Sequence, residues 1–158
     1  ATGRFKFGGI APGAPSCVLV AIGYLPTPIN TAALNPGKPL DLGDVRLEAG
    51  ETVRGKLTGP KGEPAVGAQV VVMYQYDGEE SGSMSQTNEK GEFSITGLVP
   101  GPATLRAFVQ ANARNSWVDS QSRMAQIQKH EFTVAPGGRT FVEAKFPAPA
   151  QPTPTPAR

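Results

Sequence analysis

The chain has 158 residues, 39% of them apolar, and a formal net charge of +2, which allows one domain and part of a second. No apolar run approaches the roughly 20 residues needed to span a bilayer, and scattered Lys and Arg give no basic stripe for nucleic acid. The single cysteine, Cys17, excludes an internal disulfide, and 19 Gly with 16 Pro suit short strands and many turns.

The first residue is Ala1, as expected of a processed or excised product. The phrase GRFKFGGIAPG (3–13) returns as GEFSITGLVPG (91–101) without a gap. Gly3, Phe5, Gly9, Pro12 and Gly13 match Gly91, Phe93, Gly97, Pro100 and Gly101. Phe7, Ile10 and Ala11 stand where Ile95, Leu98 and Val99 stand in the second copy. Gly and Pro at fixed offsets imply shared backbone geometry, and the spacing is that of a small domain, not of a solenoid.

Three strands are predicted in residues 1–50: RFKFGGI, SCVLVAIGY and LDLGDVRL, with the Pro-rich loop LPTPINTAALNPGKP before the last. CVLVAIGY lacks a basic leader and is too short for a signal peptide. Cys17 reads as a small buried hydrophobe.

Residues 51–146 read as about seven strands. ETVRGKL is followed by the turn cluster TGPKGEP. AQVVVMYQY places Val70, Val72, Tyr74 and Tyr76 on one face. DGEESGS reads as a polar loop, MSQT as a short strand, and EFSI as a strand burying Phe93 and Ile95. TGLVPGP reads as a turn, and ATLRAFVQA turns Leu105, Ala107 and Val109 inward. After the loop NARNSWVDSQS, RMAQIQKHEFTV is long for one strand and predicts a bulge. The alternative there is a helix over SQSRMAQIQKH, with Met124, Ile127 and His130 on one weak face. APGG turns into RTFVEAKF, with Val142, Ala144 and Phe146 on one face. The pattern predicts an all-β antiparallel sandwich, immunoglobulin-like or transthyretin-like, with extra strands from the partial repeat. The end, PAPAQPTPTPAR, predicts a Pro-rich tail or linker, or else a ligand for a Pro-binding domain.

The order VRGKLTGPKGEPAVGAQVVV, then SQTNEKGEFSITGLVPGPATLRAFV, resembles the carboxypeptidase regulatory-like domain, a transthyretin-like (prealbumin-like) sandwich, over about residues 50–146. The resemblance rests on Gly55, Gly62-Glu63-Pro64 and Gly67-Ala68, with Gly91-Glu92-Phe93, Gly97-Leu98 and Pro100-Gly101. Gly62 and Gly91 suit positive φ, Pro64 fixes the approach to the second strand, and Phe93 and Leu98 are core plugs. These are structural roles. Family members often carry an aromatic after the Pro-Gly turn, where this chain has Pro102 and Ala103.

The resulting division is residues 1–48, resembling the C-terminal half of one module, 49–147 a complete module, and 148–158 the tail. Three explanations fit the half-module: a piece cut from a tandem array, extra strands packed on the complete module, or completion by a neighbouring chain through β-strand addition. The last predicts a homo-oligomer or polymer.

No catalytic, cofactor or metal residues are predicted. His130 and Cys17 are single, so one chain offers no two-His site or Cys–His pair. Asp77, Glu79 and Glu80 lack the spacing of a calcium loop. Lys56 lacks an acidic helper in ATLRAFVQA for a Lys–Asn cross-link. The candidate contacts are Trp117 and Arg114 in NARNSWVDS, and Tyr24 in IGYLPTP, for a glycan or protein partner. The plainer expectation folds Trp117 back over the sandwich end. The resemblance implies an extracellular, cell-surface or periplasmic location. The expected role is a non-catalytic structural module assembled by strand complementation. The alternative is an accessory carbohydrate- or protein-binding module of a larger secreted enzyme or receptor.

Overall fold

The computed structural model describes residues 3–11, 17–112, 114–118 and 124–148. Pro12 and Gly13 of the repeat, residues 120–123 of the alternative helix, and 149–158 of the tail lie outside them.

Among the described residues nine strands form: β1 (Cys17–Leu19), β2 (Thr27–Ile29), β3 (Glu51–Thr58), β4 (Gln69–Tyr76), β5 (Glu79–Gln86), β6 (Glu92–Leu98), β7 (Gly101–Gln110), β8 (Met124–Val134) and β9 (Thr140–Lys145). β3 to β9 make a two-layer sandwich. One sheet has the order β6-β3-β9 and the other β5-β4-β7-β8, while β1 and β2 pair as a separate ribbon. Period-two patterning decides which residues fill the gap between sheets. The buried set includes Val53, Leu57, Val70, Val72, Tyr74, Phe93, Ile95, Leu98, Leu105, Ala107, Val109, Val142, Ala144 and Phe146. Val70, Val72, Tyr74, Phe93, Ile95, Leu105, Ala107, Val109, Val142, Ala144 and Phe146 lie on the faces the alternation predicted, while Tyr76 is half-buried.

Four local expectations are corrected. DGEESGS is not a loop. Asp77 and Gly78 both have positive φ (52° and 80°) and form a two-residue turn, so β5 starts at Glu79, opposite Tyr76. Asp-Gly favours this turn because its twist matches that of the flanking strands. Next, TGLVPGP shrinks to a turn at Val99-Pro100, since β6 runs through Leu98 and β7 starts at Gly101. The β3–β6 register shifts between Glu51 and Thr52, leaving Gly97 (φ 79°) as the extra bulge residue. Third, the helical alternative fails over Met124–His130, which is strand. The predicted bulge is there: Leu105 faces His130, but Ala107 faces Ile127. It shifts the inward parity from Ala125 and Ile127 to His130, Phe132 and Val134, and the three-residue step from Ile127 to His130 imitates a helical period. Fourth, β3 and β9 run parallel, while all other strand pairs are antiparallel. The chain changes sheets through the 135–138 turn, which the Glu51 carboxylate holds by accepting from Gly137 N (3.0 Å) and Gly138 N (2.6 Å).

The N-terminal expectation is overturned more broadly. Neither RFKFGGI nor LDLGDVRL is strand, and of the described residues of SCVLVAIGY only Cys17–Leu19 form one. Its partner, Thr27–Ile29, falls inside the predicted Pro-rich loop. A strand needs a ladder partner for its N–H and C=O groups. The described residues supply none to 4–10 or 40–47.

Candidate functional site

The repeated phrase keeps positive φ at two matched glycines, although 92–98 is strand and 4–10 is not. Gly3 and Gly91 have φ of 68° and 74°, and Gly9 and Gly97 have 83° and 79°. The side chains have opposite fates. Phe93 and Ile95 are buried in the sandwich, while their counterparts Phe5 and Phe7 are 47% and 49% exposed. The two rings stack in parallel, 5.8 Å apart and 4° from coplanar, as side chains two apart on an extended chain can. The β1 run carries further exposed apolar side chains. Val18, Val20 and Ile22 are 54%, 75% and 94% exposed, with Tyr24 beyond them at 43%. Each of these side chains is substantially exposed, and among the described residues no strand pairs with 4–10 or with 20–22.

Residues 23–25 run beside 48–50, the segment that leads into β3. Leu25 N donates to Glu48 O (2.8 Å) and Gly50 N to Gly23 O (3.0 Å), and Tyr24 bridges Ala49. The approach requires glycine: a Cβ at Gly97 would lie 2.6 Å from Tyr24 O, and one at Gly50 2.5 Å from Gly97 Cα.

The three predicted contact residues are not brought together. Tyr24 sits at the N-terminal end of β3, beside Gly50. Trp117 sits at the other end, where a Cβ on Gly59 would lie 2.8 Å from the indole. Trp117 is half-buried and tilted on Phe146, with ring centroids 5.3 Å apart. Its Nε1 is buried without a hydrogen-bond partner. The indole therefore covers the sandwich end. Arg114 is exposed and pairs with Glu89 at 3.2 Å. The loop carrying both is held by Asn115, fully buried, whose side chain accepts from Val66 N (2.9 Å) and donates to Val66 O (2.7 Å).

The structural residues fall into distinct roles. Gly62 (φ 92°) closes a turn whose Gly59 N donates to Glu63 O at 2.7 Å. Pro64 bridges Thr58, and Leu98 is fully buried. Gly101 (φ 134°) opens β7 directly after Pro100. Gly91 (φ 74°) lies against the Leu57 carbonyl.

The titratable groups are dispersed. Among the described residues no cluster of three His, Cys, Asp or Glu is placed to hold a metal. His130 is half-buried on β8, and Cys17 is a free, half-buried thiol. A hydrogen bond and the charge of Lys129, 2.7 Å away, hold the exposed Glu131 carboxyl below its usual range. Its small contribution is present above the unfolded pKa and disappears as pH falls through the folded one.

The sequence model of the carboxypeptidase regulatory-like domain matches residues 52–146, more than half of the chain. The chain belongs to the carboxypeptidase regulatory-like domain family. The regulatory-like module is thus β3 to β9, a transthyretin-like sandwich. No curated protein matches the chain. Among solved structures, a streptococcal ancillary pilin is similar at 15% identity and a TM-score of 0.42. That match covers 84% of this chain and spans 40% of the pilin's length. Among the described residues no helix is long and apolar enough to cross a membrane.

Proposed function

We propose that this regulatory-like chain is a non-catalytic structural module of a surface or filamentous assembly outside the cytoplasm, at the cell surface or in a periplasm. Residues 1–48 are the C-terminal half of a second module, which a neighbouring module completes by strand addition. The observation that carries this is the repeat with unequal burial: Phe93 and Ile95 are inside, Phe5 and Phe7 outside. Burying a large apolar side chain contributes about 1.5–3 kcal/mol, so Phe5, Phe7, Val20 and Ile22 hold an unused driving force for association. Strand addition uses that force together with unpaired backbone groups.

Light scattering over a concentration series tests this reading. The 1–158 chain is expected to gain mass only weakly, at the highest concentrations, and 49–158 to stay monomeric. The shorter chain keeps the sandwich's buried cluster, which lies within 53–146, and loses buried Leu25 and Ile29. Constant monomer mass for both chains would contradict assembly through the half-module.

A further inference from the structure

The cross-strand register of the complete module specifies which strand can sit beside residues 4–10, and charge disfavours this chain's own. In the complete module β6 pairs with β3 so that Val53 faces Ile95, Arg54 faces Ser94, Gly55 faces Phe93 and Lys56 faces Glu92. Lys56 also faces Glu143 on β9. The outward positions are therefore matched: a lysine stands between two carboxylates, and Arg54 meets a neutral serine.

Transferred through the gapless repeat, Phe5 takes the place of Phe93 and Phe7 that of Ile95. Arg4 then replaces Glu92, and Lys6 replaces Ser94. Both basic side chains are exposed. A β3 strand of this sequence would set Lys56 against Arg4 and Arg54 against Lys6. Like charges directly opposite destabilise a strand pair, and opposite charges stabilise it. The apolar face of 4–10 suits a β3-type strand, while its polar face rejects the β3 that this chain carries.

We infer that the strand completing residues 4–10 is the first strand of a different carboxypeptidase regulatory-like module, one with carboxylates at the two positions facing Arg4 and Lys6. The inference rests on the strand-completion reading above and adds the identity of the partner. Attraction and repulsion at the same two positions give specificity against pairing with a second copy's β3.

The test uses the full 1–158 chain and two synthetic peptides: residues 51–58 as they stand, and the same peptide with R54E and K56E. Binding is read from the amide resonances of residues 4–10 in a titration at low salt. The acidic peptide is expected to bind about tenfold more tightly. That advantage should shrink at high salt and reverse in the R4E/K6E chain. Equal affinity, or tighter binding of the unmodified peptide, would overturn the partner assignment and leave strand completion standing. If neither peptide binds but the 4–10 resonances move with chain concentration, a second copy is the occupant and the assignment is wrong. If neither peptide binds and concentration has no effect, strand completion fails as well.

Discussion

Truncating Phe146 to alanine is expected to destabilise the module by about 3–5 kcal/mol. Phe146 is 1% exposed and follows β9 directly, and its backbone N donates to Thr58 O at 2.8 Å. Its ring fills the sandwich end on one side and supports the Trp117 indole on the other. The indole Nε1, already without a partner, would lose the floor that keeps it in place. Urea denaturation followed by fluorescence reads both effects, because Trp117 is the only tryptophan. The midpoint should fall, and native emission should shift to longer wavelength as water reaches the ring. A loss below about 1 kcal/mol, within the range of ordinary substitutions, would mean the end is not closed by this pair.

Gly91→Ala is the second large expected effect, at about 3 kcal/mol. Two costs coincide there. Its φ of 74° belongs to the left-handed region, and an added Cβ would press on the Leu57 carbonyl oxygen, with Ala65 N at 3.2 Å. The backbone cannot retreat easily, because Gly91 O accepts from Leu57 N at 2.8 Å and Gly91 N donates to Asn88 O at 3.0 Å. Gly62→Ala is the control. Its φ is 92°, but a Cβ there meets nothing within 4 Å. Only the conformational cost applies, about 1–2 kcal/mol. Equal losses for the two variants in chemical denaturation would show that close packing at Gly91 contributes nothing.

How much of this was legible in the sequence depended on whether one local rule acted alone. Alternation placed Val70, Val72, Tyr74, Phe93, Ile95, Leu105 and Val142 on inward faces, because an inward side chain has only one other choice. The Asp77-Gly78 turn was also readable, but the acidic and serine-rich stretch after it suggested a loop. That stretch is the edge strand β5, where polar residues are tolerated because one edge faces solvent. The parallel β3–β9 pairing was not readable, since it depends on where a turn held by Glu51 delivers the chain. The N-terminal strands were misjudged for the opposite reason. RFKFGGI has the pattern of a strand, but a pattern supplies no partner.

The candidate site was partly visible. The repeat matched 3–13 to 91–101, and Arg4 in place of Glu92 and Lys6 in place of Ser94 stood in the same alignment. Its meaning appeared only with the register that puts Lys56 opposite Glu92. The exposure of Val20 and Ile22 was hidden in CVLVAIGY, a run that sequence alone reads as buried.

The most direct measurement of strand completion supplies the missing half within one chain. Residues 51–90, carrying R54E and K56E, are fused immediately before Gly3, since Lys90 precedes Gly91 and Gly91 matches Gly3. Amide hydrogen exchange is then compared between the fused chain and 1–158. Completion predicts that the amides of Phe5–Ile10 and Val20–Ile22, expected to exchange rapidly in 1–158, become protected by about 100-fold or more, approaching β6 and β7. Unchanged rapid exchange at those amides, with residues 51–146 of the original chain still folded, would contradict the claim that residues 1–48 are half of a module waiting for its other strands.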